Sequence, residues 1–238
     1  MNTITTSAAS AGALQGQASR SGRSTVKRTQ IINTAMRHFA ERGFQEARVG
    51  DIADELGIAK GSIFQHFGSK NGLFFEAYKK AVRSLPAYLH APSEVLHKGF
   101  FEILRYWLVR TEHLVREDWI PYRVSLLGNH GTDLSLKRQI NRFLANEDPY
   151  GTVAFVKAGI QRGEVRSDID LEMVVSILDW TMERFQDALL TEELDPGLFR
   201  RNGQLAGQET RIGQFLEVLR GAIGRRVIGG KGSEQRQA

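Results

Sequence analysis

Lys60, Ser62, Gln65, His66 and Lys70 crowd into one short stretch, GIAKGSIFQHFGSK (Gly57 to Lys70). Their chemistry is that of hydrogen-bond donors facing an anion or a base edge. A glutamine amide pairs with a base edge, a lysine reaches a guanine or a phosphate, and serine and histidine bond phosphate oxygens. Gly61 leaves room for close backbone approach. The stretch also holds Ile63, Phe64 and Phe67, crowded between two glycine breaks. It reads either as a compact core helix or as a helix built to press against something negatively charged.

The elements that hold this stretch are legible from apolar spacing. Ile32, Ala35, Met36, Phe39 and Ala40 recur at three- and four-residue intervals, which predicts an amphipathic helix ended by Gly43. Ile52, Ala53 and Leu56 share one face of a second, short helix over Val49–Leu56, stopped by Gly57. The third helix spans Lys60–Phe67, and a fourth starts at Ser69, a good N-cap, and runs towards Leu85. Beyond Pro86 the pattern stays helical: Phe100–Val115, Asp118–Leu127, Leu134–Leu144, a helix opened by Pro149 and reaching Gly163, Asp170–Leu190 and Gln208–Ile223. Alternating strand patterns bounded by turn residues are nearly absent. The fold expected is all-α. A disordered arm covers 1–23, a three-helix head 24–70, a larger helical body 71–226, and a flexible tail 227–238. Thr191–Gly207 reads as a loop.

Composition narrows the chemistry. The chain has 238 residues, a net charge of +5 and a pI near 9.6, which suits a nucleic-acid partner without requiring one. No cysteine is present, which removes disulfides, thiolate metal sites and cysteine nucleophiles. No apolar run approaches the ~18 residues of a membrane span, so no membrane partner is expected. The first twenty residues have neither the basic nor the apolar region of a signal peptide, and a cytoplasmic location is expected.

Two short helices across a glycine-containing turn, propped on a longer one, make a helix-turn-helix. Ile52, Ala53, Leu56, Ile58, Ile63 and Phe67 are the inward residues, under Met36 and Phe39. Lys60, Gly61, Phe64 and Gln65 face out, flanked by Ser62 and His66. Lys70 and the N–H groups opening the fourth helix form a phosphate site.

The segment reads Phe39-Ala-Glu-Arg-Gly43-Phe44, then Ile52-Ala53, Gly57-Ile58-Ala59, Gly61-Ser62-Ile63-Phe64, His66-Phe67, Ser69-Lys70 and Leu73. It resembles the DNA-binding domain of the TetR family of bacterial transcriptional regulators, over about fifty residues at their mutual spacing. Three positions depart from that pattern. Phe64 stands where the family usually has a tyrosine whose hydroxyl bonds a phosphate, so ring contact remains without that hydrogen bond. Ala47, Arg48 and Val49 replace the usual Thr or Ser cap, and Arg48 adds a cation near the backbone. Gly50 stands where some members present a base-reading side chain.

The resemblance implies a homodimer with a double-stranded DNA operator, a small-molecule effector bound in the body, and no cofactor, metal or catalytic residue. Its recognition helices would enter successive major grooves of a pseudo-palindromic operator, and the effector would favour a spacing that no longer matches. Repression is the family default. The family fold has about nine helices, the last two forming the dimer interface. Independently, Val174, Leu178, Met182, Phe185 and Leu189 form one apolar stripe, and Ile212, Phe215, Leu216 and Leu219 another. Paired across a two-fold axis they give an isologous interface; the alternative is that both bury within their own subunit. Phe101, Trp107, Trp119, Tyr122, Phe143 and Phe155 mark a pocket for an apolar or aromatic effector, or ordinary core.

Rival readings are a helical-bundle enzyme or a protein-interaction module without DNA. Glu94 and His97 have the Glu-x-x-His spacing of a di-iron bundle, but no other histidine has a glutamate three residues before it. Asp51, Asp54 and Glu55 read as a solvated face near a helix N-terminus. Gly229-Gly230-Lys231-Gly232-Ser233 lacks the spacing and the preceding strand of a phosphate loop. Arg20, Arg23, Lys27 and Arg28 either add backbone or minor-groove contacts or only solubilise the arm.

Overall fold

The computed structural model describes residues 8–130, 133–195, 197, 200–201, 204–205 and 207–225. Eleven α-helices occur among them: α1 (Ala8–Glu46), α2 (Val49–Glu55), α3 (Lys60–Phe67), α4 (Lys70–Ser84), α5 (Ser93–Leu96), α6 (Phe100–Glu117), α7 (Trp119–His130), α8 (Leu134–Glu147), α9 (Thr152–Gln161), α10 (Leu171–Leu190) and α11 (Gln208–Ile223). Within Thr191–Gly207, read as a loop, the backbone adds a two-residue antiparallel pairing, Arg200↔Leu205 and Arg201↔Gln204. Such a pairing is too short to carry an alternating pattern.

Where an apolar face has to be buried, the sequence places the element well: α3 and α11 have the bounds read from periodicity. The N-terminus departs from the expectation. Residues 1–7 lie outside the described residues, but from Ala8 to Arg23, read as an arm, the backbone is helical and continuous with the rest of α1. Ala8, Ala9, Ala11, Ala13, Leu14, Gln15, Gln17 and Ala18 are favourable helix formers. Periodicity detects buried faces and is blind to propensity alone. Of the tail read over 227–238, all residues lie outside the described ones.

The chain forms two compact units, with boundaries other than the expected break after Lys70. One unit is Met1–Leu85 with Asp118–Asn146, and the other is Pro86–Glu117 with Glu147–Ala238. In the first, α4 packs on both α1 and α7. Its core joins Phe39, Ile52, Ile63, Leu73, Phe74 and Tyr78 to Val124, Leu136, Ile140 and Phe143 in one buried cluster. Edge-on rings pack it: Phe39–Phe74 and Phe44–Phe74 at 5.0 Å between centroids, Phe75–Phe143 at 6.1 Å. Helices α7 and α8 therefore belong to the head. A short helix-turn-helix buries little surface by itself, and long-range packing of this kind leaves no mark on local spacing.

In the second unit α6 packs against α10 and α11, and α9 against α10. Asp170 caps α10, accepting from the Met173 N–H at 3.0 Å. Phe100 stacks on Phe155 at 4.2 Å, and Phe185 on Phe215 at 4.1 Å. The end of α11 is tied back by Arg166 N–H donating to the Ile223 carbonyl at 2.9 Å and Arg225 N–H to the Glu164 carbonyl at 3.0 Å.

Candidate nucleic-acid interface

Helix α3 is bracketed by Gly57 (φ 61°) and Gly68 (φ 73°), conformations that other residues rarely adopt. Ile63 and Phe67 are buried, 1% and 8% exposed, and anchor the helix to the core of the first unit. Lys60, Gly61, Phe64, Gln65 and His66 are exposed, and Ser62 is half-buried. The two faces are those expected from the sequence. Phe64 is 37% exposed with the Lys60 ammonium 5.8 Å from its ring centroid, so one outward cation rests on an aromatic face. The His66 ring is tilted against the Phe67 ring at 6.0 Å between centroids, and His66 is exposed.

A Cβ at Gly61 would meet no atom of the chain within 4 Å. The fold therefore leaves room there for a larger side chain, and glycine keeps the exposed backbone free for close approach by something outside. Gly72 is different: a Cβ there would lie 2.1 Å from the Phe67 carbonyl oxygen. Only glycine permits α4 to start so close to the end of α3, which fixes Lys70 beside α3.

Lys70 is less free than a pure phosphate contact would be. Its ammonium donates to the Gln45 carbonyl at 2.9 Å and lies 4.9 Å from the Phe44 ring centroid. Burial lowers its pKa below the ordinary lysine value, against the opposing pull of Glu46. The N–H groups opening α4 are also partly committed, since Ser69 Oγ accepts from the Gly72 N–H at 3.0 Å. By contrast α2 and α3 begin at Arg48 and Ala59 without a side-chain cap hydrogen bond. In the first turn of α3 the Ser62 N–H donates instead to the Ala59 carbonyl at 2.9 Å, and Arg48 is exposed.

Helix α2 is fastened to α1 by charge. Arg37 bonds Glu55, Arg42 bonds Asp51, and the buried His38 meets Glu55 Oε2 through Nε2 at 2.8 Å. The hydrogen bonds from Arg37 and then His38 hold the Glu55 carboxyl below its usual range. Asp51 and Glu55, read as a solvated face, are thus cross-helix partners. Arg28 is also accounted for: it donates to Glu76 at 2.6 Å, and its guanidinium lies 5.2 Å from the Phe67 ring centroid. Of the four arm cations, Arg28 is thus a brace on α3 and α4, Lys27 is exposed, and the side chains of Arg20 and Arg23 lie outside those described.

In the second unit the apolar stripes are already used. Val174 is 0% exposed, Leu178 2%, Met182 9%, Phe185 9%, Leu189 3%, Ile212 0%, Leu216 4% and Leu219 3%, all in one core cluster. Phe215 is half-buried against it. These side chains meet their own unit, and a partner could not reach most of them. The outward apolar residues of α10 and α11 are Met173, Trp180 and Val218, at 50%, 66% and 74% exposure. The apolar stripe is the signature of burial, and it does not report against which chain.

The six aromatic residues expected to line one pocket are divided. Phe101, Trp107 and Phe155 lie in or against the second unit's core, Trp107 being 4.8 Å from Phe155 between centroids. Phe143 is core of the first unit, against Phe75 and Tyr78. Trp119 is 42% exposed on α7, and Tyr122 is half-buried there. Glu94 and His97 are exposed at α5, with His97 Nδ1 donating to the Ser93 carbonyl at 2.5 Å. Among the described residues no three His, Cys, Asp or Glu side chains are grouped to hold a metal ion, and no helix is long and apolar enough to cross a membrane.

Known proteins bear on this geometry. Residues 31–77, from inside α1 to the second turn of α4, match the family model described as bacterial regulatory proteins, tetR family. The chain is 27% identical over 177 residues to the HTH-type transcriptional repressor AcnR of Corynebacterium glutamicum, spanning 73% of this chain and 87% of that one. Among solved structures, a TetR-family putative transcriptional regulator from Vibrio parahaemolyticus is 19% identical with a TM-score of 0.58, covering 84% of this chain and 100% of that one. The transcriptional regulator FadR from Bacillus subtilis, solved with stearoyl-CoA, is 21% identical with a TM-score of 0.58, covering 80% and 96%. The likeness in fold thus runs through the helical body as well as the head, and residues 31–77 match the tetR family of bacterial regulatory proteins.

Proposed function

We propose that the protein is a dimeric transcriptional repressor that binds a pseudo-palindromic duplex operator and is released by a small apolar or aromatic effector. The observation that carries the reading is α3: Ile63 and Phe67 are spent on anchoring, while Lys60, Gly61, Phe64, Gln65 and His66 stand exposed. Gln65 reads a base edge, Lys60 reaches a guanine or a phosphate, and Ser62, His66, Lys70 and Arg48 hold the backbone. Phe64 contributes apolar contact. A regulator of this kind acts on the chromosome, in the cytoplasm of a bacterium.

Dimerisation uses the outward face of α10 and α11, where Met173, Trp180 and Val218 leave apolar surface in solvent. The effector binds in the second unit near Phe101, Trp107 and Phe155, whose packed rings offer an apolar wall. That FadR, of the same fold, was solved with stearoyl-CoA supports an apolar effector.

The test is a salt titration of binding to a duplex selected by the protein. A reader of phosphates releases counterions, so log affinity falls linearly with log salt, by roughly 0.9 per phosphate neutralised. A steep slope supports the reading. Binding indifferent to salt would favour an interaction module without DNA.

A further inference from the structure

The start of α8 stands at the base of the head. Asp133 caps it, accepting from the Leu136 N–H at 2.9 Å, and its other oxygen accepts from the Asn71 amide at 3.0 Å. Asn71 directly follows Lys70. Farther along, Phe143 of α8 meets Phe75 and Tyr78 of α4 at 6.1 and 6.3 Å. The two helices therefore run in the same direction with their N-termini together, and α8 opens beside the residue that the DNA reading gives to a phosphate.

The charge on α8 is one-sided. Leu136, Ile140 and Phe143 are buried, and between Asp133 and Glu147 the only charged residues are Lys137, Arg138 and Arg142. All three are exposed. Lys137 donates to the Asn129 carbonyl at 2.9 Å, which fixes it against the end of α7. Arg138 and Arg142 have no hydrogen bond, ion pair or ring contact among the described residues. Arg123 on α7 is exposed and equally without a partner there. Arg138 lies five residues past Asp133, roughly 7.5 Å of helical rise, a distance that a guanidinium on its own stem spans. Arginine left unpaired, on a helix with no acid between its ends, is suited to phosphate.

We propose that α8 is a second cationic contact of the head, with Arg138, supported by Arg142, binding phosphates of the duplex that flanks the site read by α3. The contact adds affinity without sequence preference, because phosphates carry no base identity. It extends the footprint beyond the helix-turn-helix. The inference rests on the DNA-binding reading above.

The experiment uses the full chain and two duplexes, both built on the sequence that wild-type protein selects from a random pool. One ends at the edge of the selected site, and the other carries ten further base pairs on each side. On the long duplex, Arg138→Ala with Arg142→Ala is expected to weaken binding roughly tenfold or more and to flatten the salt slope by about one to two per half-site. On the short duplex the variant and wild type bind alike. Equal behaviour of variant and wild type on both duplexes would overturn the proposal, as would a loss of the same size on both. Both substitutions are on exposed side chains, and an unchanged thermal melt confirms an intact fold. If wild-type protein selects no sequence and binds no duplex, the DNA-binding reading fails and this inference with it.

Discussion

The Lys70 ammonium donates to the carbonyl oxygen of Gln45 at 2.9 Å, so the cation that opens α4 also ties down the end of α1. One of its three protons is spent, and two remain for a phosphate. Lys70→Ala is therefore expected to weaken matched and mismatched duplexes by the same factor, roughly tenfold, or about 1.4 kcal/mol. Binding isotherms on both duplexes check this, and an effect confined to the matched one would assign Lys70 to base reading.

Gly128 of α7 has no room for a side chain: a Cβ would sit 2.4 Å from Cδ2 and Cε2 of Tyr78. Gly128→Ala gains ~1 kcal/mol of helix propensity, but overpacking against a fully buried ring costs about 1–3 kcal/mol. The clash is with the body of the ring, so the loss is expected to win. Thermal unfolding is expected at a temperature lower by a few degrees. A melt unchanged or raised would show that α7 does not press on α4 in this way.

Glu76 supplies a pH dependence with a definite sign. Burial would raise its pKa, but hydrogen bonds from Lys79 and Arg28 outweigh it and leave the carboxyl below its ordinary value. A depressed folded pKa means that the stabilisation is fully present above the unfolded value of ~4.3 and is lost as pH falls through the folded one. Glu76→Gln is thus expected to destabilise at pH 7 and to converge on wild type as pH falls through the lowered folded value. Equal melting temperatures at pH 7 would remove the brace from Arg28 to α4.

Trp180 and Val218 test the dimer face against the core stripe beside it. Trp180→Glu with Val218→Glu is expected to yield folded monomers in sedimentation, because both side chains are largely in solvent. Leu178→Ala is expected to unfold the chain more easily, by about 2–5 kcal/mol, with the residual folded protein still dimeric. A dimer that survives the double variant would place the interface elsewhere.

These sites show what the sequence discloses and what it conceals. The bounds of α3, the cap at Ser69 and the split between Ile63 and Gln65 follow from local rules: turn residues, capping chemistry and helical spacing. The position of Phe143 does not, because membership of a core depends on contacts far apart in the chain. The concentration of aromatic residues in the middle helices marks it for a pocket, yet it packs on Phe75. Arg28 reads as one more arm cation until Glu76, distant in sequence, is seen beside it. Leu178 and Trp180 stand two residues apart on α10, and spacing alone favoured the buried one as an interface because it is the more regularly repeated.

The central claim is that α3 reads bases, and Gln65 is the residue placed to do so. Selection from a pool of random duplexes should be carried out in parallel with wild-type protein and with Gln65→Ala. The account predicts that wild type enriches an inverted repeat, and that the variant still binds but relaxes or changes its preference at one position in each half-site. Enrichment of no motif by wild type, or of one identical motif by both proteins, would contradict it.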